Sequence, residues 1–167
     1  MLNLADENVP TDYSNGTNLF PYNGEENPEH AEPYGSFELT LLGYYESGPA
    51  GTEKNKGDKE YDLVTARIDV SSHPAFAPGE VWGFWFQTGG NGMSVKQRPY
   101  KVRDLRHFIA AAHGVLPTAI AIKDYPAKRK ELIDNEFDGS DKIKLRTKRG
   151  NKREDGTFYR DDVWSPA

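Results

Sequence analysis

Basic residues are concentrated near the end of the chain. Between Lys142 and Arg153 the sequence holds seven lysine or arginine residues and no acidic residue. Aromatic rings follow at Phe158, Tyr159 and Trp164. Cationic side chains can follow a phosphate backbone and flat rings can stack on bases, so the combination is typical of a groove for single-stranded nucleic acid. The tract therefore predicts binding to nucleic acid.

The predicted contacts divide into cations for the backbone and rings for the bases. Six of the cations belong to the basic tract and two lie in a loop before a predicted helix: Lys144, Arg146, Lys148, Arg149, Lys152, Arg153, Lys96 and Arg98. The predicted stacking rings neighbour polar or charged residues: Tyr61, Trp85, Tyr100, Phe158 and Tyr159. Tyr44 and Tyr45 are adjacent, so only one of them can face inward from a strand.

Each of these features has a structural alternative. Lysines alternating along residues 142–148 could protect an edge strand from aggregation. Continuation of the cations into the following loop favours binding instead, because edge protection does not require it. Most rings of the aromatic segment 81–88 must belong to a core, since one face of such a strand is buried. Arg103 and Arg106 are predicted to lie on a solvated helix face.

Catalytic chemistry has little support in the sequence. The four histidines show no metal-ligand spacing, and no phosphate-binding glycine loop or nucleophile elbow is present. We therefore predict a protein that is not an enzyme and that needs neither a metal nor a cofactor. A nuclease would require a cluster of carboxylates for divalent metal, which the sequence does not provide.

Charge is divided unevenly along the 167 residues. Residues 1–53 contain ten acidic and no basic residues, while the rest of the chain is net positive, although the whole carries −5. An acidic arm on a basic body is compatible with binding to nucleic acid. Cysteine is absent and no apolar run is long enough to span a membrane, so a cytoplasmic protein is expected.

Hydrophobic periodicity predicts a mainly β protein. Alternating apolar and polar residues predict strands, and one stripe of apolar residues at helical spacing, followed by Gly114, predicts a helix. A second, polar helix is expected after it. The predicted strands are 36–45, 61–70, 81–88, 142–148 and 157–164, and the predicted helices are 102–113 and 126–137.

The order of three strands, helix and two strands matches the five-stranded OB-fold barrel, in which oligonucleotides bind across strands 2 and 3 and two adjacent loops. Those loops would be 47–59 and 149–156, both rich in lysine and glycine. We predict an OB-fold domain over residues 34–167 and an irregular acidic arm, flexible or loosely docked, over residues 1–33. An antiparallel sandwich or an α+β domain is the competing fold.

Over about residues 35–164 the chain resembles the small OB-fold single-stranded DNA-binding proteins of tailed bacteriophages. The resemblance rests on four segments: GSFELTLLGYYES, VWGFWFQT, VRDLRHFIAAAHG and KIKLRTKRGNKREDGTFY. It implies coating of single-stranded DNA in the host cytoplasm during replication or recombination, without sequence preference or catalysis.

One departure from that family concerns the acidic tail. Such proteins usually end in an acidic tail that recruits partners and competes with DNA, whereas this chain ends DDVWSPA and is acidic at its N-terminus. Either residues 1–33 take over that role, including contact with replication or recombination proteins, or the role is missing. A viral assembly protein whose acidic arm docks on a neighbouring subunit is the alternative function, and oligomers are compatible with either.

Overall fold

A computed structural model of the chain describes residues 1–11, 35–50, 59–90, 93, 95–152, 156 and 158–167. This part of the chain is mainly β, with one five-stranded antiparallel sheet and two α-helices. The strands are β1 (Gly35–Ala50), β2 (Lys59–Ser71), β3 (Val81–Gly90), β4 (Lys142–Lys152) and β5 (Phe158–Pro166). The helices are α1 (Arg98–Ala112) and α2 (Tyr125–Asp134), joined through two 3-10 helices, Pro117–Ala119 and Ile122–Asp124.

Period-2 alternation produces the strands, as the sequence predicts. In β1 the side chains of Phe37, Leu39 and Leu41 are buried, while Glu38 between them is exposed. Such alternation lets one face of an antiparallel sheet cover a core while the other meets water. All five strands and both helices predicted from the sequence are confirmed, and β1, β2 and β4 extend into the predicted loops.

The strands follow the order β3-β2-β1-β4-β5, and every neighbouring pair is antiparallel. The first four strands therefore have the Greek-key arrangement, in which the fourth strand returns to lie beside the first. Among the described residues the sheet is not closed between β3 and β5. The predicted closed barrel accordingly stays a prediction, whereas the mainly β architecture is confirmed.

Aromatic side chains and α1 fill the space between the two edge strands. Trp164 on β5 lies with its ring centroid 5.0 Å from Phe84 on β3 and 5.0 Å from Phe108 on α1. Phe86 on β3 lies 5.1 Å from Phe108. Edge-to-face and tilted contacts of this kind are favourable beyond the area that they bury. The core thus bridges the open side of the sheet.

The end of α1 has the glycine stop that the sequence predicts. Gly114 adopts a φ of +75°, a left-handed conformation that glycine reaches without a steric penalty. Its N–H donates to the Ala111 carbonyl at 2.9 Å, and the Val115 N–H donates to the Ala110 carbonyl at 3.0 Å. These two bonds form a Schellman motif, which satisfies carbonyls that the helix end leaves unpaired.

The first residues of the chain pack against α1 through Arg106. The Arg106 guanidinium donates to the carbonyls of Leu4, Asp6 and Val9 at 2.8, 2.8 and 2.6 Å. Leu2, Leu4 and Val9 are buried in the hydrophobic core. Arg106 is fully buried and Arg103 nearly so, therefore the predicted solvated face for these two arginines is wrong. Residues distant in sequence cover that side of the helix.

A buried ion pair holds α2 against the sheet. Arg129 on α2 donates to both carboxylate oxygens of Asp62 on β2, at 2.6 and 2.7 Å. Tyr44 on β1 donates its hydroxyl to the same carboxylate. Burial and the neighbouring carboxylate raise the pKa of Tyr44, so its hydroxyl keeps the proton that it donates. A bidentate pair with a further donor satisfies the buried charge of Asp62.

Candidate nucleic-acid interface

The solvent-facing side of the sheet, called here the outer face, carries the accessible rings. Trp85 on β3 and Tyr45 on β1 are 54% and 53% exposed. Leu63 on β2 pairs with both of them, so the three residues form one row across three strands. We call Trp85, Leu63 and Tyr45 the ring row. Tyr61 extends it, with its ring 5.6 Å from the Trp85 ring in an edge-to-face contact.

Small residues form the next row on the outer face. Gly83, Thr65 and Gly43 pair across β3, β2 and β1. A methyl group added to Gly43 would lie 2.5–2.6 Å from the hydroxyl oxygen and two ring carbons of Tyr45, so that side chain lies over the glycine. At Gly83 the corresponding position has only ordinary contacts, with Leu63 Cδ1 at 3.4 Å and Trp85 Nε1 at 4.0 Å. The Tyr45 ring therefore rests against bare backbone.

A polar row of Arg67, Thr40 and Lys142 comes next, across β2, β1 and β4. Lys142 Nζ donates to Thr40 Oγ1 at 2.6 Å, and Arg67 Nη2 donates to the same oxygen at 3.3 Å. On β2 one outer-face residue, Thr65, lies between Leu63 and Arg67, so the Cα atoms of Leu63 and Arg67 are roughly 13 Å apart. The row of small residues thus lies between rings on one side and cations on the other.

The described cations of the basic tract lie further along the same face. Lys144 pairs with Glu38 and Arg146 pairs with Ser36, and both cationic side chains are exposed. The β1 segment from Glu38 to Tyr45 spans roughly 20 Å, so these cations and the ring row occupy different ends of the outer face. The polar row lies between these two cations and the row of small residues.

The structure describes the other predicted residues of the basic tract only in part. Arg153 lies outside the described residues. Only the backbone is described for five others, as members of β4 and β5: Lys148, Arg149, Lys152, Phe158 and Tyr159. Their predicted contacts stay predictions. The backbone of Lys148 pairs with Asp161, which continues the line of Lys144 and Arg146 along β4.

The second group of predicted residues lies near the other end of the ring row. Arg98 and Lys96 are exposed at the start of α1. Arg98 lines a cavity of about 480 Å³ together with Gly89 and Gly90 at the end of β3. Tyr100 is half-buried, and the Arg103 guanidinium lies 5.7 Å from its ring centroid.

Two further lysines lie towards the β3 end of the ring row. Lys59 pairs with Gly90, and Lys101 on α1 borders a recess of about 150 Å³ next to Trp85. Burial lowers the pKa of Lys101, against the effect of Asp104, and the charge of Lys59 lowers it further. Asp104 and Asp162 line the same recess, so charges of both signs lie at this end of the ring row.

The structure brings Tyr61 and Trp85 together and keeps Lys144 and Arg146 on the same face at a distance. Sequence reasoning missed Arg67, did not name Tyr45 as a site residue, and counted Lys142 in the basic tract without naming it among the contacts. The sequence did carry a signal for Tyr45, because only one of two adjacent tyrosines on a strand can face inward. In the structure Tyr44 is buried and Tyr45 is exposed. Arg67 and Lys142 become neighbours only through cross-strand pairing, which local sequence does not reveal.

Comparison with known proteins finds no matching family model, no matching curated protein and no matching solved structure. Across the described residues, no cluster of histidine, aspartate and glutamate is suited to hold a metal ion. No helix in the described part of the chain is long and apolar enough to cross a membrane.

Proposed function

We propose that this protein binds single-stranded DNA without catalysis and coats exposed strands regardless of sequence. The observation that carries the proposal is the ring row, followed by exposed cations along the same solvated sheet face. Arg67 and Lys142 come first, and Lys144 and Arg146 lie beyond them. Trp85, Leu63 and Tyr45 adjoin one another across three strands, and a contiguous exposed apolar patch is typical of an interaction site.

Bases would stack on the open faces of the ring row. Every base has a π face, so stacking on Trp85, Tyr45 and Tyr61 tolerates any sequence. Backbone phosphates would follow the cations, first the polar row and then Lys144 and Arg146. Since each phosphate contact releases counterions, affinity should fall steeply as salt is raised.

The topology supports an OB-type fold as part of the proposal. A Greek key with a fifth strand added, and a helix between the third and fourth strands, is compatible with the partly open Greek-key barrel of that fold. Oligonucleotides bind OB folds across strands 2 and 3, which here contribute Leu63 and Trp85. By its resemblance to phage proteins, we place the activity in DNA replication or recombination in the host cytoplasm, with residues 1–33 as a docking segment for partner proteins.

A fluorescence titration tests the proposal. Oligothymidine and a duplex of equal length are added at two salt concentrations while tryptophan emission is followed. We expect salt-sensitive quenching by the single strand and little by the duplex. Trp85→Ala should weaken binding by roughly 5- to 100-fold, as the loss of one stacked base predicts. Equal affinity for single strand and duplex, or no binding at low salt, would contradict the proposal.

Two further variants distinguish the proposed binding surface from the rest of the protein. Leu116→Ala removes an exposed apolar side chain outside the sheet and should leave binding unchanged. Lys144→Glu combined with Arg146→Glu should weaken binding without lowering the melting temperature by more than a few degrees, because both side chains are exposed. Unchanged affinity in the double variant would remove that part of β4 from the site.

A further inference from the structure

An acidic residue, Asp69 on β2, stands among the cations of the polar row. Its carboxylate accepts hydrogen bonds from Arg67 Nε at 3.0 Å, from Lys142 Nζ at 3.4 Å and from the Thr40 hydroxyl. The contacts therefore come from three strands, β1, β2 and β4. In the absence of the Asp69 carboxylate, Arg67, Lys142 and the Thr40 hydroxyl would be suitable donors to a phosphate oxygen.

Arg67, Asp69 and Lys142 are partly exposed to solvent, so they do not belong to the core. The side chains of Arg67, Asp69 and Lys142 are 43%, 26% and 48% exposed. Thr40, by contrast, is fully buried beneath them. Arg67 and Lys142 are thus anchored on a buried hydroxyl, while their remaining N–H groups face solvent. Ordinary surface pairs lack such an anchor.

We propose that Arg67 and Lys142 form a phosphate-binding station and that Asp69 occupies it in the free protein, as an internal competitor for the DNA backbone. This inference rests on the proposed binding of single-stranded DNA and deepens it by naming a residue that limits affinity. Asp69 holds both cations in place, yet its negative charge cancels one of them and repels an arriving phosphate.

Competition of this kind suits a protein that must release DNA as well as coat it. Partial burial raises the pKa of Asp69. Hydrogen bonds from Thr40 and Arg67 and the charge of Lys142 outweigh that effect and hold the pKa below its ordinary value. The carboxylate is therefore charged at neutral pH and opposes the phosphate under all ordinary conditions. Removing the charge while keeping the shape should shift the balance towards DNA.

The test compares Asp69→Asn with Asp134→Asn. Asp134 is an exposed carboxylate on α2 that pairs with Lys130 at 3.4 Å, so its substitution makes the same change in net charge away from the outer face. We expect Asp69→Asn to bind oligothymidine about 3- to 10-fold more tightly at low salt, from the loss of one repulsion at close range. The salt dependence should steepen by about 0.7 for one more neutralised phosphate. Asp134→Asn should change little.

Arg67→Gln and Lys142→Gln provide an independent measurement. Each should weaken binding and flatten the salt dependence, and each should do so more strongly in the Asp69→Asn background, where the competitor is gone. An Asp69→Asn protein that binds no more tightly than Asp134→Asn, or more weakly than the unaltered protein, overturns the inference. If Asp69→Asn does not fold, the single Arg67 and Lys142 variants decide, and unchanged affinity in both rejects the station.

Failure of the inference and failure of the proposed function give different results. If the unaltered protein binds oligothymidine with strong salt dependence while Asp69→Asn, Arg67→Gln and Lys142→Gln behave like Asp134→Asn, only the role of the polar row is rejected. If the unaltered protein shows no preference for single strands, the proposed function is rejected and the station with it.

Discussion

Arg106 and Arg129 on the two helices are shielded from solvent, whereas Arg67 and Arg146 on the outer face remain accessible. Arg106 and Arg129 donate at close range to backbone carbonyls and to a buried carboxylate. Arg67 and Arg146 keep much of their surface in water. Residue type alone therefore does not indicate role. A guanidinium with a full set of internal partners maintains the fold, and one with spare donors on a solvated face can bind a ligand.

The aromatic residues show the same contrast. Phe108 and Trp164 are buried and contact each other at the centre of the core. Trp85 and Tyr45 lie on the opposite face, resting over positions where a glycine leaves space. Loss of a core ring should change the free energy of unfolding, while loss of an outer ring should change affinity. Substitutions on the two sides can therefore separate stability from binding.

The largest effect on stability is expected at Arg129. Arg129→Met removes the partner of Asp62, a fully buried carboxylate, and should lower the free energy of unfolding by about 3–5 kcal/mol. Urea denaturation measures the change. Combining it with Asp62→Asn should recover part of the loss, because the buried charge is removed as well. A single Arg129→Met variant within about 1 kcal/mol of the unaltered protein would show that the pair does not hold α2.

A slightly smaller loss is expected at Arg106. Arg106→Met leaves three carbonyls of the N-terminal segment without their donor, which should cost about 2–4 kcal/mol. Faster hydrogen exchange over residues 1–11 should accompany the loss, as that segment detaches from α1. The matched control is Arg146→Met on the outer face, expected within about 0.5 kcal/mol. Equal losses in the two variants would remove the distinction between the two sides of the sheet.

The smallest effect is expected at Gly43. Gly43→Ala would push the Tyr45 ring away from its resting position without changing the chemistry of the ring. The ring is exposed and can move, so stability should change by less than about 1 kcal/mol. Affinity for oligothymidine should fall by a few-fold, since a displaced ring stacks less well. Gly83→Ala, in the same row and with its nearest neighbouring atom at an ordinary 3.4 Å, controls for the general cost of replacing a glycine in this sheet.

Alternation along the strands explains why the strands were predictable. In β3 the period of 2 places Phe84 on the core side and Trp85 on the outer face, and the structure confirms both. The same logic separates Tyr44 from Tyr45. Strand positions and helix positions depend on neighbours within a few residues, so sequence alone defines them well.

Long-range packing explains what the sequence did not show. Arg106 follows the pattern of a solvated helix residue until Leu4, Asp6 and Val9, about one hundred positions earlier, cover it. A polar segment with few apolar residues gave no sign that Leu4 would enter the core. Burial by distant segments is a tertiary effect that local periodicity cannot report.

The candidate site was predictable only in its parts. Trp85, Tyr61 and the alternating lysines of β4 can be identified from sequence, because each follows from strand geometry. The polar row cannot, because Arg67, Thr40 and Lys142 meet through strand pairing. The pairing of β1 with β2 shifts register between Leu41 and Gly43, and no local sequence pattern specifies that shift, which decides which residues lie opposite each other.

A map of chemical shifts on binding tests the central claim most directly. Backbone amide and tryptophan indole signals are followed by NMR while a short oligothymidine is added. We predict the largest changes at Tyr45, Leu63, Trp85 and Arg67 on the outer face, with little change along α2 around Arg129. Changes confined to α1 and α2, with an unaltered Trp85 indole signal, would contradict the account.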